Sequence, residues 1–128
     1  MKSIHDVAGM HTIQLSHPAI EATVNRVDPV LYAPFRCKLV GVLFIPMAAI
    51  VADDTDYSTL TVRDDEDNTI VTQSFNTQYD SLDAYEAMLL DCEDEELDTG
   101  DVINIAKTYA ASGLAIPEFL TVALIMAR

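Results

Sequence analysis

A chain of 128 residues, half of them hydrophobic, is long enough for one domain with a buried core and too apolar to be disordered as a whole. It carries 21 Asp and Glu against 7 Lys and Arg, a formal net charge of -14, which disfavours nucleic acid and anionic membranes as partners. Residues 53–101 hold seventeen acids and one base, whereas residues 1–52 and 102–128 each have a net charge of +1. The central part must therefore be largely solvated, and the two ends are free to bury surface.

Neither a secretory signal nor a membrane span is expected. Residues 1–13 contain no apolar segment of the kind that a secretory signal needs. The longest apolar run, residues 39–52, is interrupted by Pro46 and is shorter than the roughly 20 residues that cross a bilayer. Cys37 and Cys92 match no zinc-binding spacing, and we expect two buried thiols, with a disulfide as the alternative.

The first third of the chain predicts two strands and an extended segment. Residues 20–24 alternate apolar and polar side chains, which is the pattern of a half-buried strand. Two prolines bracket residues 30–35, and residues before proline avoid the helical region, so this segment is expected to be extended. Residues 36–45 are apolar on both faces and predict a central strand covered on both sides, which Pro46 ends or places at an edge.

The middle of the chain predicts a hairpin and one short helix. Residues 58–63 and 69–75 are β-like and flank an acidic connection, as in a hairpin. Residues 76–88 hold the best helix candidate, of one or two turns at most. Residues 88–92 alternatively begin a strand, and residues 93–96 are expected to form a charged loop.

Two strands complete the chain, at residues 102–109 and 119–126. Four apolar side chains of the last strand share one face, namely Leu120, Val122, Leu124 and Met126. Short strands joined by polar turns predict an all-β, single-domain β-sandwich, jelly-roll-like, with an extended N-terminal arm and at most one short helix. We expect residues 1–35 to form the arm with an edge strand and residues 36–128 to form the sandwich. An ordinary first strand packed on its own domain is the alternative for the arm.

One motif suggests catalysis. Asp98-Thr99-Gly100 is the motif of aspartic proteases, in which two carboxylates share a proton, and a single copy would require a homodimer. Here a second acid, Asp101, follows the glycine and would disturb that shared proton. A turn before the next strand is therefore the preferred interpretation. No catalytic residue is predicted, and the protease remains a remote alternative.

Neither the acidic clusters nor the histidines predict a metal or cofactor site. The clusters at residues 53–56, 64–67 and 93–96 match no EF-hand pattern and are expected to be solvated turns, with calcium binding as the alternative. The three histidines recur every six residues and are expected to lie at the surface rather than to converge on a metal. They are His5, His11 and His17.

The chain resembles small β-sandwich proteins encoded among the head genes of tailed phages. Residues 33–42, Ala-Pro-Phe-Arg-Cys-Lys-Leu-Val-Gly-Val, match the proline and basic residue that lead into a long apolar strand in those sequences. A polar turn and the Tyr-centred strand of residues 57–62 follow. Near the end, residues 100–103 match a Gly-Asp-Val strand start and residues 113–117 match a Gly-Leu-x-x-Pro loop before a last apolar strand.

This resemblance, which spans roughly residues 33–126, implies a bacteriophage capsid decoration (cement) protein. Such a protein is made in the bacterial cytoplasm, sits on the outer capsid surface of the virion, binds the major capsid protein and is typically a homotrimer. A head-fibre or host-adhesion module that binds glycans is the alternative. We expect the near-neutral N-terminal part to supply the capsid or subunit interface. Its candidate residues are Ile20, Val24, Leu31, Tyr32, Pro34 and Phe35.

Overall fold

A computed structural model describes residues 10–127, which form eight antiparallel strands and one 3-10 turn. The strands are β1 (Met10–His17), β2 (Arg26–Tyr32), β3 (Cys37–Pro46), β4 (Ser58–Asp64), β5 (Thr69–Ser74), β6 (Met88–Leu97), β7 (Val102–Tyr109) and β8 (Phe119–Ala127). The 3-10 turn, Gln78–Asp80, lies between β5 and β6 and is closed by Asp80, whose carboxylate accepts hydrogen bonds from the backbone N–H and the hydroxyl of Thr77.

The strands form two four-stranded sheets packed as a sandwich. The first sheet has the order β1-β8-β3-β6 and the second the order β2-β7-β4-β5. Successive strands pass from one sheet to the other, except for the β4–β5 hairpin, and this double Greek key is the strand order of a jelly roll. The prediction of an all-β, jelly-roll-like sandwich with at most one short helix is confirmed.

The core lies between the two sheets and is built by alternation along each strand. Phe44 of β3 is fully buried at its centre, with its ring 4.9 Å from that of Phe119 and 6.3 Å from that of Phe75. From the second sheet, Leu60 and Ile103 point into the same space and are almost fully buried. Burial of each such side chain contributes about 1.5–3 kcal/mol.

The strand predicted at residues 20–24 is wrong. Residues 18–25 connect β1 to β2, and within them Ile20 makes only an isolated bridge to Ile116. The side chain of Lys107 explains why no strand forms. Its ammonium donates hydrogen bonds to the backbone carbonyls of Glu21 (2.7 Å), Ala22 (2.7 Å) and Val24 (2.9 Å), which are therefore not used in a β-ladder.

Lys107 itself points into the sandwich from β7 and is only 1 % exposed. An ammonium has three protons to donate, and the three carbonyls of the β1–β2 connection accept one each. Desolvation by burial lowers the pKa of Lys107. Gly113, at a φ of +71°, packs directly against the Ala22 carbonyl, so that this connection is held from two sides.

Residues 10–32 of the predicted arm belong to the sandwich. β1 pairs with β8 along its whole length, and β2 pairs with β7, so each is an edge strand of one sheet. The boundary predicted at residue 35 therefore does not correspond to a break in the fold. β1 escaped prediction because three of its four outward residues, Thr12, Gln14 and Ser16, are polar and its inward face includes His11 and His17.

The charged loop predicted at residues 93–96 is instead part of β6. A register shift opposite β3 places Glu93 and Asp94 at positive φ, 53° and 56°, which is a β-bulge. β6 is an edge strand, so these acidic side chains reach solvent without leaving the sheet.

Within residues 10–127, no helix is long and apolar enough to cross a membrane.

The Asp98-Thr99-Gly100 segment forms the turn between β6 and β7, as predicted. Gly100 adopts a φ of +90° and donates its backbone N–H to the Ala33 carbonyl, while the Asp101 carboxylate accepts a hydrogen bond from the Asp98 N–H.

Both cysteines, Cys37 and Cys92, are buried thiols. Desolvation, together with the nearby charges of Asp91 and Glu95, raises the pKa of the Cys92 thiol to about 12, so it carries almost no thiolate at neutral pH.

Candidate interaction surface

The outer faces of the two sheets differ in chemistry. In the second sheet, Leu60, Val62, Ile103 and Ile105 point inward, so the residues between them point outward. On β7 and β4 this outer face is mainly polar, interrupted by Val102 and Ala106, whereas the edge strand β2 adds Val27, Pro29 and Tyr32 to it. Its polar members are Thr59, Thr61, Arg63, Thr72, Ser74, Asn104 and Thr108.

The outer face of the first sheet is aliphatic across three of its four strands, β8, β3 and β6. Ile45 lies opposite Leu120, and Leu43 lies between Val122 and Leu89. The next row places Leu124 opposite Gly41. We call the following seven outward residues the aliphatic face: Leu43, Ile45, Leu89, Leu120, Val122, Leu124 and Met126.

No other element of residues 10–127 covers the aliphatic face as a further layer. Leu89 is 53 % exposed and leans over Gly41, where an added Cβ would lie 2.8 Å from Leu89 Cδ1. The other members are partly exposed, except for Val122, which its neighbours bury. The prediction that residues 36–45 form a central strand is correct, but the sandwich covers β3 on one side only, because its second face points away from the second sheet.

Polar residues border the aliphatic face on both sides, and they differ in charge. On the β1 side the register places Thr12 opposite Leu124, and Gln14 and Ser16 in the neighbouring rows. On the β6 side Asp91 lies opposite Gly41, and Glu96 lies opposite Lys38, which in turn faces Met126. The surface thus has an apolar centre and a polar rim, which is the organisation of protein–protein interfaces.

The interface residues predicted from sequence do not form one surface. Ile20 and Leu31 are 4 % and 1 % exposed and belong to the core, so their side chains are not available for binding. Phe35 is half-buried and packs edge-to-face on His11 at 5.3 Å. The exposed members are Val24, Tyr32 and Pro34, with Val24 before β2 and the other two at or beyond its far end.

Sequence reasoning missed the aliphatic face although it noted both of its signals. β3 was described as apolar on both faces, and the four aliphatic residues of β8 were correctly placed together on one face. In the structure the opposite residues of β8, from Phe119 to Ile125, point into the core. The available signal was that β3 and β8 are apolar on both faces. A two-layer sandwich covers only one face of each strand, so the other apolar face must lie on the outside.

His17 is buried, which corrects its prediction as a surface residue. Its Nε2 lies 3.0 Å from the Thr121 hydroxyl oxygen, and its ring stacks on Phe119 at 4.7 Å. Burial lowers the pKa of the His17 imidazole, the nearby charge of Asp28 raises it, and the charge of Arg26 lowers it. Arg26 Nε lies 3.0 Å from both carboxylate oxygens of Asp28 but donates its hydrogen bond to Oδ1, so Oδ2 has an ion-pair partner and accepts no hydrogen bond.

Burial lowers the pKa of His17, and this predicts acid destabilisation in a defined window. Below pH 6.5 the unfolded chain binds a proton at residue 17 before the folded chain does, so the free energy of unfolding falls until the pH is below the folded pKa. The pKa values of Asp53 and Asp64 are also lowered, but protonation of these carboxyls reduces the free energy of unfolding only below about pH 4, outside this window. Urea unfolding between pH 7 and 5 should therefore show a smaller loss in His17→Gln than in the wild type. Equal losses in both proteins would contradict this assignment.

The acidic clusters of the second sheet are exposed turns, as predicted. Asp53 Oδ1 accepts hydrogen bonds from the backbone N–H groups of Thr55 and Asp56, and Asp64 accepts them from the side chain and backbone of Asn68 and from Glu66 N–H. These bonds lower the pKa of both carboxyls.

Among residues 10–127 no group of three or more His, Cys, Asp or Glu is placed to hold a metal, and these residues form no pocket. His5 lies outside the described residues.

Comparison with known proteins identifies no family. No family model matches the chain. No curated protein matches it either. One similar solved chain comes from the structure of infectious bursal disease virus Gx strain, with a TM-score of 0.30 and 13% sequence identity over 92% of this chain. The alignment covers 32% of that viral chain, so the present chain spans about a third of its length.

Proposed function

We propose that this protein is a structural virion protein, a decoration or cement protein that binds the outer capsid surface of a tailed-phage head and stabilises it. In this proposal it acts without catalysis, its partner is the major capsid protein, and it is a homotrimer made in the bacterial cytoplasm before it joins the virion. The observation that carries the proposal is the aliphatic face. Large contiguous apolar patches on small proteins mark interaction sites, and here the patch lies on a protein with a net charge of -14.

The arrangement suits binding to a large surface. The aliphatic face lies on a sheet of four paired strands, so docking needs little rearrangement and little ordering of loops. Each square ångström of apolar surface removed from water contributes about 25 cal/mol. Joining three such faces in a trimer multiplies the effect, because the second and third contacts become intramolecular. The exposed Val24, Tyr32 and Pro34 remain candidates for contacts between subunits.

The test uses heads assembled without this chain, to which the full-length protein is added. We expect the wild type to pellet with the heads, in a saturating copy number divisible by three, and to raise the temperature at which the heads disrupt. Replacing Leu89 and Leu124 by Thr should weaken binding at least tenfold, since roughly 1.4 kcal/mol of lost apolar burial corresponds to that factor. Val27→Thr is the matched control, because Val27 is similarly exposed, at 54 %, on an edge strand of the other sheet.

Two results would overturn the proposal. One is a wild-type protein that does not bind the heads at micromolar concentration. The other is an unchanged affinity in the Leu89→Thr, Leu124→Thr variant, with circular dichroism showing that it is folded. A stable monomer in sedimentation equilibrium, bound singly to the heads, would refute the trimer alone.

A further inference from the structure

The rim of the aliphatic face is charged on one side only. Thr12, Gln14 and Ser16 on the β1 side carry hydroxyl and amide groups, whereas Asp91 and Glu96 on the β6 side carry carboxylates. Both acids are exposed, and no ion pair within 4.0 Å joins either of them to a described basic residue. A partner that covers the aliphatic face therefore meets negative charge along β6 and neutral polar groups along β1.

The described residues of a second copy, 10–127, do not provide the charge that this border calls for. Four of the five Lys and Arg among residues 10–127 are already engaged. Three of them pair with acids of their own chain, at 3.0, 3.7 and 3.9 Å, and the fourth is the buried Lys107. Lys38, the fifth, already lies within the same border opposite Glu96. Each copy also carries a net charge of -14 over the whole chain, so two copies repel each other at long range.

We propose that the aliphatic face binds a different protein, whose surface has an apolar centre and Lys or Arg side chains along the single edge that meets β6. This inference rests on the proposed function and states the chemistry of the capsid surface that it requires. The one-sided charge also orients the complex. A partner turned by half a turn would place its basic edge on Thr12, Gln14 and Ser16 and would leave Asp91 and Glu96 without counter-charges.

The acidic turns of the second sheet have no part in this contact. The turn at residues 64–68 joins β4 to β5, and residues 53–56 lead into β4, so both belong to the sheet on the far side of the sandwich. They offer a matched control for charge, because neutralising two acids there changes the net charge of the protein by the same amount as neutralising two acids of the rim.

The first experiment measures the affinity of the full-length chain for the heads at low and at high salt. In Asp91→Asn, Glu96→Gln the Asn oxygen can still accept the bond that Asp91 Oδ1 receives from Glu93 N–H. We expect the Kd to rise about tenfold at low ionic strength and the difference to shrink at 1 M salt, where the Debye length is about 3 Å. Asp65→Asn, Glu66→Gln should stay within about twofold of the wild type. Equal effects of the two pairs, or no effect of the first, would overturn the inference.

A second experiment separates this inference from the proposed function. If the wild type does not bind heads, the proposed function fails, and the surface chemistry is then tested by NMR with two synthetic peptides. Each has a central run of alternating Leu and Thr, flanked by lysines in one peptide and by glutamates in the other. The inference requires that the lysine peptide shift amide resonances of β3, β6 and β8, and that the glutamate peptide leave them unchanged.

Three outcomes of the second experiment would overturn the inference. Equal responses to both peptides would show that charge has no part in recognition. Shifts confined to residues 53–56 and 64–68 would show attraction to acids in general. Self-association of the wild type that is lost in Leu89→Thr, Leu124→Thr would show that a second copy covers the face.

Discussion

Replacing Lys107 by methionine is expected to lower the free energy of unfolding by about 3–5 kcal/mol, because three partly buried backbone carbonyls lose a charged donor at once. The ammonium donates to Glu21, Ala22 and Val24 at 2.7–2.9 Å, and it ties the β1–β2 connection to β7 across more than 80 residues of sequence. Methionine fills a similar volume but donates nothing. Urea unfolding followed by circular dichroism measures the loss.

A neighbouring residue provides the control for this substitution. Thr108 is exposed and points away from the core, so Thr108→Met on the same strand should change stability by no more than about 0.5 kcal/mol. A loss below about 1 kcal/mol in Lys107→Met would mean that water replaces the ammonium and that the connection does not depend on it.

Gly113→Ala is expected to lower the free energy of unfolding by a similar amount, about 3–5 kcal/mol, for two reasons that add. The residue has a φ of +71°, where a side chain costs about 1–2 kcal/mol. In addition, a Cβ would collide with the backbone carbonyl of Ala22, and backbone cannot move aside as a flexible side chain can. The collision would push away the same carbonyl that Lys107 binds.

Gly100→Ala separates the two causes. Gly100 has a φ of +90°, but a Cβ there would approach nothing closer than the Tyr32 hydroxyl at 3.6 Å, so only the conformational cost of about 1–2 kcal/mol applies. Equal melting temperatures for the two glycine variants would show that the Ala22 backbone yields easily. Because Gly113 and Lys107 act on one carbonyl, the double variant should lose less than the two single losses combined.

The strands with a strong contrast between their two faces could be predicted from sequence. β4 alternates Ser, Leu and Val, which point inward, with Thr, Thr and Arg, which point outward. The predicted ends of β4 and β5, on either side of the acidic connection, agree with the observed ends to within one residue. β7 was predicted with its observed ends. In these segments the local pattern and the tertiary contacts agree, because each strand has one face toward the core and one toward water.

The candidate interaction surface could be predicted only in part. The apolar character of both faces of β3 and β8 is visible in the sequence, and so is the acidity of residues 93–96. The predicted interface residues Ile20 and Leu31 lie in the core, and their burial depends on residues that other strands and connections bring to them. Ile20 bridges to Ile116, nearly a hundred residues away, and no local pattern reveals that contact.

The sequence by itself determined that this chain forms an acidic all-β sandwich, since the period-two alternation, the turn residues and the charge distribution are local properties. Only the tertiary structure decided which side of β8 faces the core, because both sides are apolar and local pattern cannot choose between them. It also decided that Lys107 is buried, because its acceptors come from a connection 83–86 residues earlier in the chain. Sheet order and register bring such distant residues together, and they place Leu43, Leu89 and Val122 side by side on the outer face of the first sheet.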